Sequence, residues 1–552
     1  MAKGREWLYK YITIIPLYVI LGLVVGLLFI DPHLSYFAAL FFVLFITVKG
    51  IFGNITGHIA LSLIKKNMKM AKEIPLDENM RGVQHLVLVP VFKENNEALF
   101  ERLIKSVMAN DYFLDSLAVI FVTEENDDVS RPIVAKLMKK YEGVYEIVHP
   151  KEKGILPGKS AAMAFAGKVL YTLKYGEDFG ELVCGEANRI RNTVGKIMKE
   201  KEIIIHDTDI DMVFPTMYFK HFTKKYYEDK HRDYHIYQPA ILLINNMEKV
   251  PGLSLNTGVF TSYSSLTNQM SPFLMNFSSY GLSLKFLRRA GFWRDDVIQE
   301  DSAFYWKAKL TIGKKFKVVP LYMPLFGDAV NAGDWKNSFV AQTKQIVRWA
   351  YGVDDARHIF FDFKPNIKQR IFAAYMIFQN HTLWEAGGIL GIYAFILPTF
   401  FLKDIPWSIW YPISMYFNLI WVLTAIGVFI AIWRMLPMRN DVLMSAEFKS
   451  KEGGSHVDDF WNPHATLLAA TVPTYMIALS DYRRFLPVMI PLEITGIGGI
   501  YLMQKRRYIW LKKAILIMTY PASMIYNSLC ALYAAHLATF KGKIKYEVTA
   551  KA

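Results

Sequence analysis

The chain has 552 residues, of which 53% are hydrophobic, 15% aromatic and 20% charged. Soluble chains carry roughly 45–50% apolar residues with glycine counted and about 25% charged ones, so this balance excludes intrinsic disorder and argues against an ordinary soluble enzyme. Cys184 and Cys530 are the only cysteines, too few for a disulfide scaffold, a cysteine-rich zinc site or an iron–sulfur cluster, and 64 Lys and Arg against 49 Asp and Glu leave a formal net charge of +15.

From the N-terminus, Tyr11–Ile30 and His33–Ile51 are two apolar stretches joined at Asp31 and Pro32. Each is long enough to cross a hydrocarbon core of about 30 Å. No small-residue cleavage site follows the first, so it reads as an anchor. Lys3, Arg5 and Lys10 precede the pair and Lys65, Lys66, Lys69 and Lys72 follow it. That bias places both flanks in the cytoplasm.

Residues 80 to 365 alternate short apolar runs with helical patterns. His85–Pro90, Leu117–Val122, Tyr145–Val148 and Glu202–His206 read as strands. Glu97–Met108, Arg131–Tyr141 and Lys159–Leu173 read as helices. This alternation predicts a parallel, doubly wound sheet. Gly176–Lys201 breaks the pattern and reads as a surface insertion. Apolar spans return with Glu385–Leu402 and Ile409–Trp433, then a polar loop Arg434–Pro463, then Ala465–Leu479, Leu486–Met503 and Ala514–Ala538. Ala465–Leu479 is short, contains Pro473 and reads as interfacial or re-entrant. The division expected is 1–75 for a transmembrane helix pair, 76–368 for a cytoplasmic catalytic domain, and 369–552 for further membrane helices with a basic tail.

Asp207, Asp209 and Asp211 alternate directly after the strand Glu202–His206. In an extended segment they share one face and repel one another. A hard cation, Mg²⁺ or Mn²⁺ with a diphosphate, would neutralise them. A solvated loop is the competing reading. Glu300 and Asp301 open the helical pattern Ala303–Leu310, so Asp301 is either a helix cap or a general base. Gln345 and Arg348 share a helix face beside Trp349. Arg348 suits a diphosphate and Trp349 a sugar ring, although both also suit a membrane-surface helix. His381 and Glu385 are helically spaced, and a structural pair is the plainer reading there.

Asp-Thr-Asp after an apolar strand, a downstream Glu-Asp, and Gln-x-x-Arg-Trp before apolar spans resemble, in that order, the membrane-integrated family 2 glycosyltransferases, such as cellulose, hyaluronan and chitin synthases. Pro90 to Glu94 is similar to the family's Pro-x-x-x-Glu, Gly352 follows the Trp, and the ending Phe540–Lys551 is similar to the family's basic tail. The resemblance implies an α/β GT-A-type glycosyltransferase domain inserted between transmembrane α-helices, an inverting mechanism and a UDP-sugar donor before a GDP-sugar. It implies that Asp207 contacts the nucleotide, that Asp209 binds Mg²⁺ or Mn²⁺ with Asp207 or Asp211 assisting, and that Asp301 is the base. Glu94, Glu124, Lys159, Gln345 and Arg348 would bind the nucleotide sugar and Trp349 the acceptor. The chain departs from the family's pattern at Thr123-Glu124-Glu125, where an Asp pair is usual, at Lys159 to Ala164, which lacks the usual Asn, and at Gln299-Glu300-Asp301, where Thr-Glu-Asp is usual.

The partners expected are the donor, a glycan or lipid-linked acceptor, and the lipid bilayer of a multi-pass cell-membrane protein; nucleic acid is not expected. Repeated addition with export through the chain's own spans and single transfer to a lipid acceptor are the two enzymatic readings of function; a channel or transporter with a degenerate cytoplasmic domain is a third, against which Asp209 and Asp301 argue.

Overall fold

The structure is a computed structural model that describes residues 2–150, 158–247, 249–250, 252–363, 365–401, 427–428, 430–431, 434–442 and 520–540. Between residues 83 and 327 seven strands alternate with helices: β1 (Val83–Pro90), β2 (Leu117–Glu124), β3 (Val144–His149), β4 (Glu202–Asp207), β5 (His235–Leu243), β6 (Tyr280–Ser283) and β7 (Lys317–Gly327). They form one sheet in the order β3-β2-β1-β4-β6-β5-β7.

The strands predicted from apolar runs form one side of this sheet, in the order β3-β2-β1-β4, and are parallel to one another. A strand covered on both faces needs apolar residues on both, and alternate residues of β1 serve two cores. Val87 and Val89 pack with Phe100, Leu103 and Val107 of the helix Glu97–Met108. Leu86 and Leu88 pack with Ala162, Ala166 and Val169 of the helix Lys159–Tyr175.

Two expectations are corrected here. The sheet is mixed, because β6 runs antiparallel to both β4 and β5. β6 is only four residues long, too short to register as an apolar run. β5 carries Pro239, and β7 carries Pro320 and Pro324, which hide both strands in the sequence. Gly176–Lys201 is not a surface insertion alone. It holds the helix Glu181–Arg189 and two short turns, and its Val183, Ala187, Ile190, Val194 and Met198 are buried in the second core.

The N-terminal region also differs from expectation. Tyr11–Ile30 is not one straight span. The helices Ala2–Tyr11 and Ile15–Leu28 meet at a bend of 80°, and Pro16 starts the second of them. Its 14 residues span roughly 21 Å, short of a hydrocarbon core. The second expected span is part of a single 41-residue helix, Pro32–Lys72, roughly 60 Å long. Its first half exposes Phe37, Phe41, Leu44 and Phe52. Its last turns carry Leu61, Ile64 and Met68 into the core of the sheet domain. The helix ends at Lys72, and residues 73–77 join it to the short helix Glu78–Arg81 that precedes β1.

Among the described residues, Pro32–Lys72 is the one helix long and apolar enough to cross a membrane, or one of two if the bent pair counts as a span. The helices Leu383–Phe401 and Tyr520–Phe540 fall where spans are expected. Ala386, Leu390 and Ala394 of the former pack against Ala39, Val43, Leu17 and Ile20. Residues 434–442 are helical where a loop is expected, and Arg439 donates to the carbonyl of Ile244 at 3.0 Å. The expected spans Ala465–Leu479 and Leu486–Met503, and most of Ile409–Trp433, lie outside the described residues.

Candidate active site

In open α/β sheets ligands gather beyond the C-terminal ends of the strands. Here three carboxylates meet one ammonium at that edge, with a fourth, Asp301, next to them. Asp207 ends β4, and Asp209 lies two residues on. Glu300 and Asp301 open the helix Glu300–Ile312. Lys159 opens the helix Lys159–Tyr175 directly after Gly158, whose φ of 143° few other residues could adopt. The Lys159 Nζ lies 2.6 Å from Glu300, 3.1 Å from Asp209 and 3.2 Å from Asp207.

The electrostatics follow from burial and crowding. Burial alone would push Lys159 down, but Asp207, Asp209 and Glu300 outweigh it and hold the ammonium well above its usual range. Burial pushes Asp207 and Glu300 up, against the pull of Lys159 and with help from their carboxylate neighbours. Asp207, Asp209 and Glu300 crowd around the Lys159 ammonium, and carboxylates gathered in this way favour further positive charge.

Asp301 is held from two sides. Its Oδ1 accepts from the Ser302 N–H at 2.8 Å and its Oδ2 from the Ser278 N–H at 3.1 Å. The Ser278 hydroxyl donates to Asp209 Oδ2 at 2.7 Å, so Ser278 ties the expected base to the expected metal ligand. Ser278 and Ser279 both have left-handed backbone, φ 29° and 41°. Strained non-glycine residues persist where their surroundings over-determine them. Sequence reasoning missed this pair, because two serines before a short strand give no signal.

The other expected residues divide between the site and its surroundings. Glu124, at the end of β2, is buried and accepts from the Gly158 N–H at 3.4 Å, which brings it beside Lys159. Glu94 does not reach the cluster. Its Oε1 accepts from Asn96 N, in a loop held by Asp127, which takes the Lys93 N–H at 2.8 Å. Asp211 does not join Asp207 and Asp209. Its Oδ2 accepts from the Asp328 N–H at 2.9 Å, while Arg102 pairs with Asp328 at 2.7 Å and donates to the Asp211 carbonyl. The shared face predicted for the three aspartates is lost because β4 ends at Asp207 and the chain turns at residues 210–211.

Gln345, Arg348 and Trp349 lie on the helix Trp335–Ala350. Gln345 is buried and accepts from Gln342. Trp349 is half-buried, packed on the sheet core and on Cys530, Ala531 and Ala534 of the helix Tyr520–Phe540. The end of this helix meets the Asp301 turn. Gln299 donates to Asp355 at 3.3 Å, and Gly352 lies against Ser302. Burial pushes the Asp355 carboxyl up to about 7, although Gln299 hydrogen-bonds to it.

The donor set fits a hard divalent cation in part. Asp207 and Asp209 offer carboxylate oxygens, the Oδ2 of Asp207 is buried with no hydrogen bond among the described residues, and the Lys159 ammonium already stands among them as a cation. Among the described residues no three His, Cys, Asp or Glu side chains converge as a metal cage. A diphosphate would have to complete the coordination, as is common for Mg²⁺.

No family profile matches this sequence, and no curated protein matches it. Solved structures with some likeness include the mannosyltransferase PcManGT from Pyrobaculum calidifontis in complex with GDP-Man and Mn²⁺, at 15% identity over 74% of this chain and 99% of that one, with a TM-score of 0.37. A second is S. aureus TarS 1-349 in complex with UDP-GlcNAc, at 13% identity over 66% of this chain and 90% of that one, with a TM-score of 0.28. At such TM-scores neither carries an argument about this chain, and the reading of the site rests on its own residues.

Proposed function

We propose that this chain is a membrane-bound glycosyltransferase that moves a sugar from a nucleotide diphosphate sugar to a glycan acceptor. The observation that carries the reading is the meeting of Asp207, Asp209 and Glu300 around Lys159 at the ligand-binding edge of the sheet, with Asp301 tied to Asp209 through Ser278. The mixed seven-stranded sheet fits a GT-A-type core.

Transfer requires a hydroxyl made nucleophilic while a diphosphate departs. Asp301 is fixed by two backbone N–H groups and takes the acceptor proton, a contribution typically worth about 10²–10⁴-fold. Lys159 leaves its carboxylates to meet the donor's diphosphate, with Arg348 as a second cation and Glu124 facing the nucleotide. Asp207 and Asp209 would hold Mg²⁺ or Mn²⁺, which when bound stabilises the charge of the leaving diphosphate. Trp349 offers an apolar ring to the acceptor sugar. The inverting outcome, the cytoplasmic placement of residues 76–368 and repeated addition with export belong to the same reading. The packing of Leu383–Phe401 on Pro32–Lys72, and of Tyr520–Phe540 on the helix that carries Trp349, supports the last of these.

The test is chromatography of products from labelled GDP-mannose and UDP-N-acetylglucosamine supplied with Mn²⁺ to membranes containing the protein. Polymer supports the full reading and a single addition supports transfer without export. Absence of any sugar-bearing product from either donor contradicts it.

A further inference from the structure

Both ends of the described chain converge on the segment Tyr351–Arg357, and one side chain holds them there. Arg357 is 8% exposed. Its Nε donates to the Tyr9 carbonyl at 3.0 Å. One terminal nitrogen donates to the Lys10 carbonyl at 2.9 Å and to the Ala538 carbonyl at 2.8 Å. The other pairs with Asp354 at 2.6 Å. Tyr9 and Lys10 lie in the last turn of the helix Ala2–Tyr11, and Ala538 lies in the last turn of Tyr520–Phe540. The final carbonyls of a helix have no intrahelical partner, and that end carries partial negative charge. The Leu8 and Tyr11 carbonyls accept from the N–H groups of Ile12 and Ile14, whereas Tyr9 and Lys10 meet the guanidinium. Thr13 and Thr539 share a buried hydroxyl bond of 2.6 Å beside it.

The same segment touches the turn of the proposed base. Asp355, 3% exposed, accepts from Gln299, two residues before Asp301. Gly352 lies so close to Ser302 that a Cβ there would stand 3.5 Å from Ser302 Oγ, and the Ser302 N–H holds Asp301 Oδ1. Tyr351 and Val353 pack with Ile14, Ala535 and Ala538. Asp354 alone, three residues away, would give Arg357 a local ion pair. Its other three bonds reach 181 to 348 residues along the chain. A planar fork of donors can serve several carbonyls at once, which a lysine ammonium at this place could not match.

We infer that Arg357 is a positioning residue: by fastening the ends of the helices Ala2–Tyr11 and Tyr520–Phe540 to Tyr351–Arg357, it sets the place of the turn Gln299–Ser302 and so of Asp301. The inference rests on the glycosyl-transfer reading for what Asp301 does and adds what holds Asp301 in place.

The test uses the full chain in phospholipid nanodiscs. Amide hydrogen exchange is followed by mass spectrometry in a peptide containing Gln299–Ala303 and in one containing β1, for wild type, Arg357→Gln and Lys10→Pro. Lys10 is exposed. Proline there disturbs the last helical turn and leaves Arg357 in place, so it serves as the second route should Arg357→Gln fail to fold. Exchange at Gln299–Ala303 should be at least about tenfold faster in both variants, with β1 unchanged. Where donor is turned over, kcat for nucleoside diphosphate release should fall at least about tenfold while donor KM stays within about twofold, because a displaced base slows the chemistry without loosening the donor. A residue that only joins the two helix ends would speed exchange at those ends and leave Gln299–Ala303 as in wild type. That result, faster exchange throughout the domain with β1 included, or a rise in KM as large as the fall in kcat would each overturn the inference. No release from any donor by wild type would count against the glycosyl-transfer reading, and the exchange result would still decide whether Arg357 positions the turn.

Discussion

Replacing Lys159 with methionine tests the electrostatics of the site. The ammonium is the shared partner of Asp207, Asp209 and Glu300 at 3.2, 3.1 and 2.6 Å, and its side chain is only 10% exposed. Methionine fills much of the same volume without charge. Removing one partner of a buried ion pair typically costs about 3–5 kcal/mol, because the remaining charge is left uncompensated. At roughly 2 °C per kcal/mol for a domain of this size, Lys159→Met should melt about 6–10 °C below wild type at pH 8. The deficit should shrink on acidification. Burial pushes Glu300 up to about 8 and Asp207 up to about 6 even with Lys159 present. Without it both rise further, so below about pH 6 both are protonated and little uncompensated charge remains. Millimolar Mn²⁺ at pH 8 should recover part of the deficit if Asp207 and Asp209 accept a cation. The assay is thermal unfolding in nanodiscs at pH 5.5, 7 and 8, with and without Mn²⁺. A deficit of the same size at every pH would refute the reasoning and make Lys159 a packing residue.

Asp301→Asn should slow transfer by about 10²–10⁴-fold, measured from initial rates of nucleoside diphosphate release. It should also lower stability by about 1 kcal/mol, since an amide accepts only one of the two backbone N–H groups now bonded to the carboxylate. Ser278→Gly keeps the N–H to Asp301 but loses the hydroxyl bond to Asp209. Its rate should fall at least about tenfold through misplacement, while relief of the left-handed backbone keeps stability within about 1 kcal/mol of wild type by denaturant unfolding. Asp355, pushed up from 3.8 to about 7 by burial, binds its proton more tightly folded than unfolded. Its contribution is full below about pH 4 and is lost as pH rises through 7, on the order of 4 kcal/mol in all. Asp355→Asn should therefore flatten the decline in stability between pH 4 and 7, and parallel curves for the two proteins would contradict this.

The sequence was most legible where one kind of residue repeats without interruption. The four parallel strands β1 to β4 and the helix Glu97–Met108 are apolar runs or clean amphipathic patterns, and they lie where expected. β5 and β7 were hidden by prolines, and β6 by its length. In the site, Asp207, Asp209, Lys159 and Asp301 come together as the ordered motifs imply, whereas period-two alternation carried Asp211 too far. That rule holds within a strand, and the strand had already ended. Ser278 was invisible because its role depends on a backbone conformation, which its residue type does not encode. The orphaned state of Glu385 was equally hidden. The i, i+4 spacing from His381 shows that the two share a face, but only the fold shows that nothing in the described protein meets either carboxyl oxygen.

The claim that the Lys159 cluster is a nucleotide-sugar site is tested most directly by nucleoside diphosphate release in nanodiscs. GDP-mannose and UDP-N-acetylglucosamine are supplied separately with Mn²⁺ to wild type, Asp209→Ala and Asp301→Asn. With the donor series widened to other UDP- and GDP-sugars, the account predicts release from at least one by wild type, none above background by Asp209→Ala, and at least a hundredfold slower release by Asp301→Asn when acceptor is present. Release by wild type that persists undiminished in both variants would contradict it.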